Sequence, residues 1–203
     1  WLEQVNLSGA NLSGVNLSNT TVIDSDLSDV NLSDANLSSV FLGDVQLTGS
    51  NLSGADCSFM YGYNLDFSHS NLSGANFDYS SFEGSVGPLN FSYANLTGSS
   101  WHGALAAPEI NLSYATLSSA DLSGAELTHA DLSYANFSEV DLTYAILYGA
   151  NFLGVDLTQV LAMPAIQDNM MCLVNCPSAL PDGFFCEPDT NCIFDDRFRI
   201  VPE

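Results

Sequence analysis

The sequence predicts an all-β solenoid, and three observations support this prediction. An inward-type residue, almost always Leu or Phe, recurs at every fifth position from Leu7 to Phe82. Asn or Asp usually precedes it, and Ser or Thr usually follows it. A period of five matches neither a helix, at about 3.6 residues per turn, nor a strand, at about 2. Units with two small or apolar positions and three polar ones suit coils that stack and bury a continuous core.

The first tandem units read VNLSG, ANLSG and VNLSN, from Val5 to Asn19. This A-[DN]-L-[ST]-G pattern resembles the pentapeptide-repeat family, and it extends roughly from residue 1 to residue 160. The resemblance implies a right-handed, four-sided parallel β-helix with one pentapeptide on each side. It also implies that the central residue, such as Leu12, and the residue two before it, such as Ala10, point inward.

The five-residue register slips twice along the chain. Phe82 and Phe91 are nine residues apart, one short of two repeats, and Trp101 and Leu112 are eleven apart, one too many. The slips cancel, and each segment contains a proline, which cannot donate to a strand ladder. We therefore predict one solenoid of about eight coils over residues 1–162, with loops near 83–90 and 102–110. The remaining residues, 163–203, form a cysteine-rich cap or joint.

The charge of the chain excludes several classes of function. Asp and Glu total 24 against two Lys and Arg, which gives a formal net charge of −22, and the two basic residues are Arg197 and Arg199. Nucleic-acid binding needs cationic contacts to phosphate, and an acidic chain is repelled by anionic lipid. No segment approaches the roughly 18–20 apolar residues of a membrane span. We predict no nucleic-acid binding and no membrane insertion; the charge suits solubility, divalent cations or a basic partner.

Four of the five cysteines lie in the tail, at Cys172, Cys176, Cys186 and Cys192. Two disulfides would keep so small and turn-rich a segment ordered, and three pairings are possible. We favour Cys176–Cys186 with Cys172–Cys192. The rival is a zinc site, although the spacing lacks the paired C-x2-C knuckles of that class. Cys57 occupies a central, inward position and is predicted to be a small buried apolar residue.

The outward surface carries twelve N-x-[ST] sequons, each a candidate N-glycan acceptor in a secreted eukaryotic protein. They are Asn6, Asn11, Asn16, Asn19, Asn31, Asn36, Asn51, Asn71, Asn90, Asn95, Asn111 and Asn136. One face is predicted to hold Asn11, Asn31, Asn51 and Asn71, continued by Asn90 and Asn111. The next face is predicted to hold Asn16, Asn36, Asn95 and Asn136. The alternative is that the repeat itself favours this pattern and that no glycan is attached.

The two remaining faces carry few sequons. One reads Asp26, Gln46 and Asp66, and the other reads Thr21, Phe41, Tyr61 and Ser81. Large apolar groups that cluster on a surface indicate a contact site. We therefore predict a contact face formed by Phe41, Phe59, Met60 and Tyr61.

No catalytic constellation is visible in the sequence. The three histidines, His69, His102 and His129, are scattered, and there is no glycine-rich phosphate loop. Asp24 and Asp44 are predicted to stack, with Asn64 next, and such an oxygen ladder could hold calcium. A solvated acidic face is the favoured reading. We predict that the protein is not an enzyme and needs no cofactor.

The leading hypothesis is a non-enzymatic, secreted structural protein that carries glycans and stacks end to end. Leu2 and Val5 already fit the repeat, so the coils begin without a polar cap and present unpaired strand groups. A head-to-tail contact that does not close generates a filament. One alternative is an acidic rod that mimics DNA and binds a basic partner such as a topoisomerase, as inferred for family members that protect gyrase. Another is a periplasmic or thylakoid-lumen repeat protein of unknown role.

Overall fold

The computed structural model describes residues 1–82, 89–104, 110–161, 170–172, 177, 184–187 and 192–195. Four parallel strands form its first sheet, in the order β1 (Leu2–Glu3), β2 (Thr21–Asp26), β3 (Phe41–Gln46) and β4 (Tyr61–Asp66). Each strand pairs with the one a coil later, as in Val22 with Leu42. The predicted all-β, parallel solenoid is confirmed.

Single parallel bridges continue the stack beyond this sheet. One column runs through Asn16, Asn36, Asp56, Asn76, Ser100, Asp121 and Asp141. These are seven levels, and the amide of Leu161 then donates to the carbonyl of Val140 at 2.8 Å, which begins an eighth. Three further columns run parallel to this one, so the coil has four sides.

Most corners are closed by a local hydrogen bond that explains the repeat. The Oδ1 of Asn31 accepts from the amide of Ser33 at 3.1 Å, and the Oδ1 of Asp66 accepts from the amide of Ser68 at 2.9 Å. Such bonds from Asn or Asp to the backbone two residues on are a turn-forming device of these side chains. The requirement for this acceptor accounts for Asn or Asp before nearly every central residue.

The core is a double ladder inside the coil. Leu52, a central residue, is 0% exposed. Ala55, the smaller residue that lies two positions before the next central residue, is 1% exposed. Midway along the rod the core becomes aromatic, with ring centroids 4.7 Å apart for Phe67 and Phe91 and 4.5 Å apart for Phe77 and Trp101. The described interior of the solenoid is therefore packed with side chains of the chain itself.

The two ends of the described solenoid differ in burial. Leu7, Leu12 and Leu17 of the first coil, residues 2–20, are only partly buried, although they pack on the core. Phe152 and Leu157 of the last described coil are both 0% exposed. Leu7, Leu12 and Leu17 are thus less buried than the central residues of the last described coil.

The tail contains a second sheet of antiparallel strands. Its order is β5–β7–β6, with β5 at Met170–Cys172, β6 at Phe184–Glu187 and β7 at Cys192–Asp195. The side chains of Cys172, Cys186 and Cys192 lie outside what the structure describes, as does the whole of Cys176. The predicted disulfides stay a prediction.

Candidate contact and modification surfaces

The most regular surface feature is a column of asparagine side chains, which we call the asparagine column: Asn11, Asn31, Asn51, Asn71 and Asn95. Each Nδ2 from Asn31 onward donates to the Oδ1 of the asparagine one level earlier, at 3.0, 3.2, 3.1 and 3.2 Å. Thr116 and Asn136 continue the column as backbone bridges. The column is a continuous amide ladder along one side of the rod.

The structure corrects the predicted arrangement of the later sequons. Asn95 bridges to Asn71, and Asn136 bridges to Thr116, so both belong to the asparagine column and not to the Asn16 face. Asn90 bridges to Asp66 and Asn111 bridges to Asn90, so these two continue the Asp26 face instead.

The cause of this error is the first register slip. Asn95 bonds to Asn71 across 24 residues, four more than one regular coil. The nine residues from Phe82 to Phe91 are therefore one repeat plus four inserted residues, not two repeats less one. A period of five residues is compatible with both readings. They place the residues that follow on different, neighbouring sides of the coil.

The sequons also have a structural cause within the fold. In several repeats the hydroxyl after the central residue donates to the same Oδ1 as the backbone amide, as in Ser38 to Asn36 and Thr97 to Asn95, both at 2.7 Å. Asn-x-Ser/Thr is thus favoured by corner geometry alone. Of the twelve sequon asparagines, the exposed ones are Asn6, Asn11, Asn16, Asn19, Asn95 and Asn136, and the half-buried ones are Asn31, Asn36, Asn51, Asn71, Asn90 and Asn111.

Sequence reasoning missed a row of stacked rings at another corner, the tyrosine ridge: His69, Tyr93, Tyr114 and Tyr134. Successive ring centroids are 5.1, 4.9 and 5.0 Å apart, with planes within 14° of parallel. Tyr93 and Tyr114 have φ near 58° and 59°, a region that bulky residues rarely adopt. The available signal was Tyr at the last position of three successive coils, where Gly is common.

The predicted contact face stays a prediction, and its members differ in exposure. Phe59 is 60% exposed and stacks on Tyr79 at 5.5 Å, and Tyr61 is 42% exposed and stacks on Phe41 at 5.5 Å. Met60, however, is 1% exposed, so its inclusion in the contact face was wrong. It lies two residues before a central position, which places its side chain in the core.

The acidic side chains of the corners show two related pKa shifts. Donation from the hydroxyl and then the amide of Ser28 lowers the pKa of Asp26 below its usual 3.8. The hydroxyl and amide of Thr158 do the same for Asp156. Tyr63, in strand β4, has a pKa that is raised by burial and then by the charge of Asp44. The ionised carboxylate is therefore the form that closes these corners.

No metal-binding group of side chains is found in the described part of the chain. Among its residues no three His, Cys, Asp or Glu side chains gather into a metal-binding group. Asp44 instead accepts a hydrogen bond from Asn64 Nδ2 at 2.8 Å. Cys57 is 0% exposed, and burial, then the charge of Asp56, raises the pKa of its thiol. The described residues also hold no helix with the length and apolar character of a membrane span.

The fold and these surfaces define a four-sided β-solenoid repeat protein that exposes flat polar and aromatic arrays. The chain belongs to the pentapeptide-repeat family, because the family model "Pentapeptide repeats (8 copies)" matches residues 2–34, 25–56, 63–86, 110–143 and 120–159. The family resemblance inferred from the repeat pattern is therefore confirmed.

Several solved structures are similar to this chain. HetL, a pentapeptide-repeat protein involved in heterocyst differentiation regulation in Nostoc sp. strain PCC 7120, is 23% identical over 89% of this chain and 91% of its own, with TM-score 0.36. QnrB1, a plasmid-mediated fluoroquinolone resistance protein, is 19% identical over 81% and 93%, with TM-score 0.39. A thylakoid-lumen protein of Arabidopsis thaliana is 24% identical over 66% and 70%, with TM-score 0.27. No curated protein matches the chain.

Proposed function

We propose that this protein is a non-enzymatic structural element that associates end to end through its first coil. The observation that supports this proposal is that the inward residues Leu7, Leu12 and Leu17 are only partly buried. In the next coil the equivalent Leu27, Leu32 and Leu37 are at most 3% exposed. Covering the first coil would bury apolar surface, which is the main favourable term in association.

The backbone amides of the first coil are also placed to pair with a second chain. In the second coil the amides of Asn31 and Asn36 donate to the carbonyls of Ala10 and Val15 one level earlier, both at 2.9 Å. Within the described chain no such bond reaches the corresponding amides of Asn11 and Asn16. An edge with unpaired donors and acceptors is a template for another strand.

The proposed occupant is a second copy of this chain. With a net charge of −22, lateral contacts between copies are repulsive, but Glu3 is the sole charged side chain in residues 1–20. The core residues of the last described coil are already buried, so first coil against first coil is the favoured contact. Such a two-fold contact closes on itself. The proposed unit is thus an end-to-end pair, which a second contact would have to extend into a filament.

We further propose that the rod is secreted and glycosylated on the asparagine column and its exposed neighbours. An N-linked glycan replaces one of the two amide hydrogens of Asn, so a glycosylated asparagine keeps one N–H for the ladder. Intact-mass measurement of natively sourced protein before and after N-glycosidase tests this. A mass drop with deamidated Asn11 supports it, and an unchanged mass at the bare-chain value refutes it.

Sedimentation velocity over a concentration series tests the pairing. We expect a monomer at low concentration and twice its mass at high concentration. The variant Leu12→Lys places like charges in the contact and should stay monomeric. The control Thr97→Lys adds the same charge at an exposed site four levels away and should still pair. A wild-type chain that remains monomeric throughout, or equal loss in both variants, overturns the proposal.

A further inference from the structure

The tail sheet aligns two cysteines across neighbouring strands. Strands β5 and β7 are antiparallel, with Met170 opposite Phe194, Met171 opposite Ile193 and Cys172 opposite Cys192. Directly opposite residues of an antiparallel pair have Cα atoms about 4.5 or 5.5 Å apart. A disulfide needs a Cα separation of about 4.4–6.8 Å. The backbone register of Cys172 and Cys192 therefore meets the geometric requirement of a cystine.

The third described tail cysteine is placed differently. Strand β6 lies on the other side of β7, where Glu187 is opposite Cys192 and Cys186 is opposite Ile193. Cys186 is thus one residue out of register with Cys192. Because a strand alternates its two faces with a period of two, a one-residue offset separates two positions onto opposite faces. The register favours Cys172 over Cys186 as the partner of Cys192.

We propose that Cys172 and Cys192 form a cross-strand disulfide that links β5 to the central strand β7. The oxidant is a disulfide of the thiol–disulfide exchange class, such as glutathione disulfide. One tail thiolate attacks the oxidant and forms a mixed disulfide, and the second tail thiolate then displaces the remaining thiol. Two cysteine thiols lose two protons and two electrons, and the oxidant is reduced to two thiols. This inference concerns the tail alone and does not rest on the proposed function of the first coil.

The consequence is a covalent closure of the chain between residues 172 and 192. Closing a loop restricts the unfolded chain, so the oxidised tail keeps its sheet under conditions in which the reduced tail does not. The tail also becomes sensitive to its redox compartment, since such bonds persist in oxidising surroundings. The solenoid is unaffected by this chemistry, because its single described cysteine, Cys57, is buried.

The test is a disulfide map of the full chain after oxidation in a glutathione redox buffer. Because the chain has no Lys and its two Arg lie beyond Cys192, chymotrypsin with a Glu-specific protease replaces trypsin. We expect a linked peptide pair that contains residues 172 and 192 and that separates on reduction. The control Cys186→Ser should retain that linked pair, whereas Cys172→Ser should lose it. The inference is overturned if Cys192 is joined to another cysteine, or if Cys172 and Cys192 remain free thiols.

Discussion

The side-chain amide of Asn95 donates to the Oδ1 of Asn71 at 3.2 Å, across 24 residues of chain. This bond fixes how the second half of the solenoid is rotated relative to the first. The coil between these two residues is longer than the regular twenty, and the ladder nevertheless continues directly from Asn71 to Asn95.

Engineered cysteines test this alignment. In a background with serine at the four tail cysteines, Asn71→Cys with Asn95→Cys should cross-link rapidly under mild oxidation. The matched pair Asn71→Cys with Asn90→Cys should not, because Asn90 bridges to Asp66 on the neighbouring side. Non-reducing mass mapping distinguishes the two. The opposite preference would restore the arrangement predicted from the repeat period alone.

The amide ladder should contribute measurably to stability. Asn51 donates to Asn31 at 3.2 Å and accepts from Asn71 Nδ2 at 3.1 Å and from the amide of Ser53 at 3.2 Å. Asn51→Asp removes the donor alone and should cost about 1 kcal/mol, whereas Asn51→Ala removes all three bonds and should cost about 1–3 kcal/mol. Urea unfolding measures both. The exposed Gln46→Ala serves as control, within about 0.5 kcal/mol of wild type. Costs for both Asn51 variants that are no larger than that of the control would contradict the ladder.

The tyrosine ridge combines favourable stacking with an unfavourable backbone conformation. Tyr114 stacks on Tyr93 at 4.9 Å and on Tyr134 at 5.0 Å, with φ near 59°. Tyr114→Ala and Tyr114→Gly both lose two ring pairs, each worth about 0.5–1.5 kcal/mol. Glycine adopts this φ without penalty, so the Gly variant should be the more stable of the two by about 1 kcal/mol. Chemical denaturation compares them, and a more stable Ala variant would exclude backbone strain at this corner.

The corner carboxylates predict a pH dependence of defined sign. Because Ser28 lowers the pKa of Asp26 below 3.8, the unfolded chain binds the proton more tightly. The stabilisation from this bond is present above pH 3.8 and is lost as the pH falls through the folded pKa. Unfolding free energy measured from neutral pH to about pH 2 should therefore fall more for wild type than for Asp26→Asn, which keeps the acceptor. Ser28→Ala should reduce the dependence; identical profiles for all three chains would refute this assignment.

Much of this architecture follows from one periodic pattern. Leu27, Leu52 and Leu72 recur at multiples of five, and such spacing excludes a helix and a flat strand, so the fold and the core follow without long-range information. Asn before each central residue reflects a bond made within two residues, as in Asn31 with Ser33. Interactions of this short range are visible in sequence.

What the sequence did not reveal depends on distances between coils. The face of Asn90 depends on an insertion length that the five-residue phase leaves ambiguous. His69, Tyr93 and Tyr114 stack because two irregular spacings, of 24 and 21 residues, bring them to the same corner.

The most direct test of end-to-end pairing is hydrogen exchange at the first coil. The amide of Asn31 bonds to the carbonyl of Ala10 at 2.9 Å and should exchange slowly at every protein concentration. The amide of Asn11, one coil earlier, should exchange rapidly in dilute solution and become protected as the concentration rises. Concentration-dependent protection of Asn11 is the predicted result. Rapid exchange of Asn11 at every concentration, beside a protected Asn31, would contradict the proposed contact.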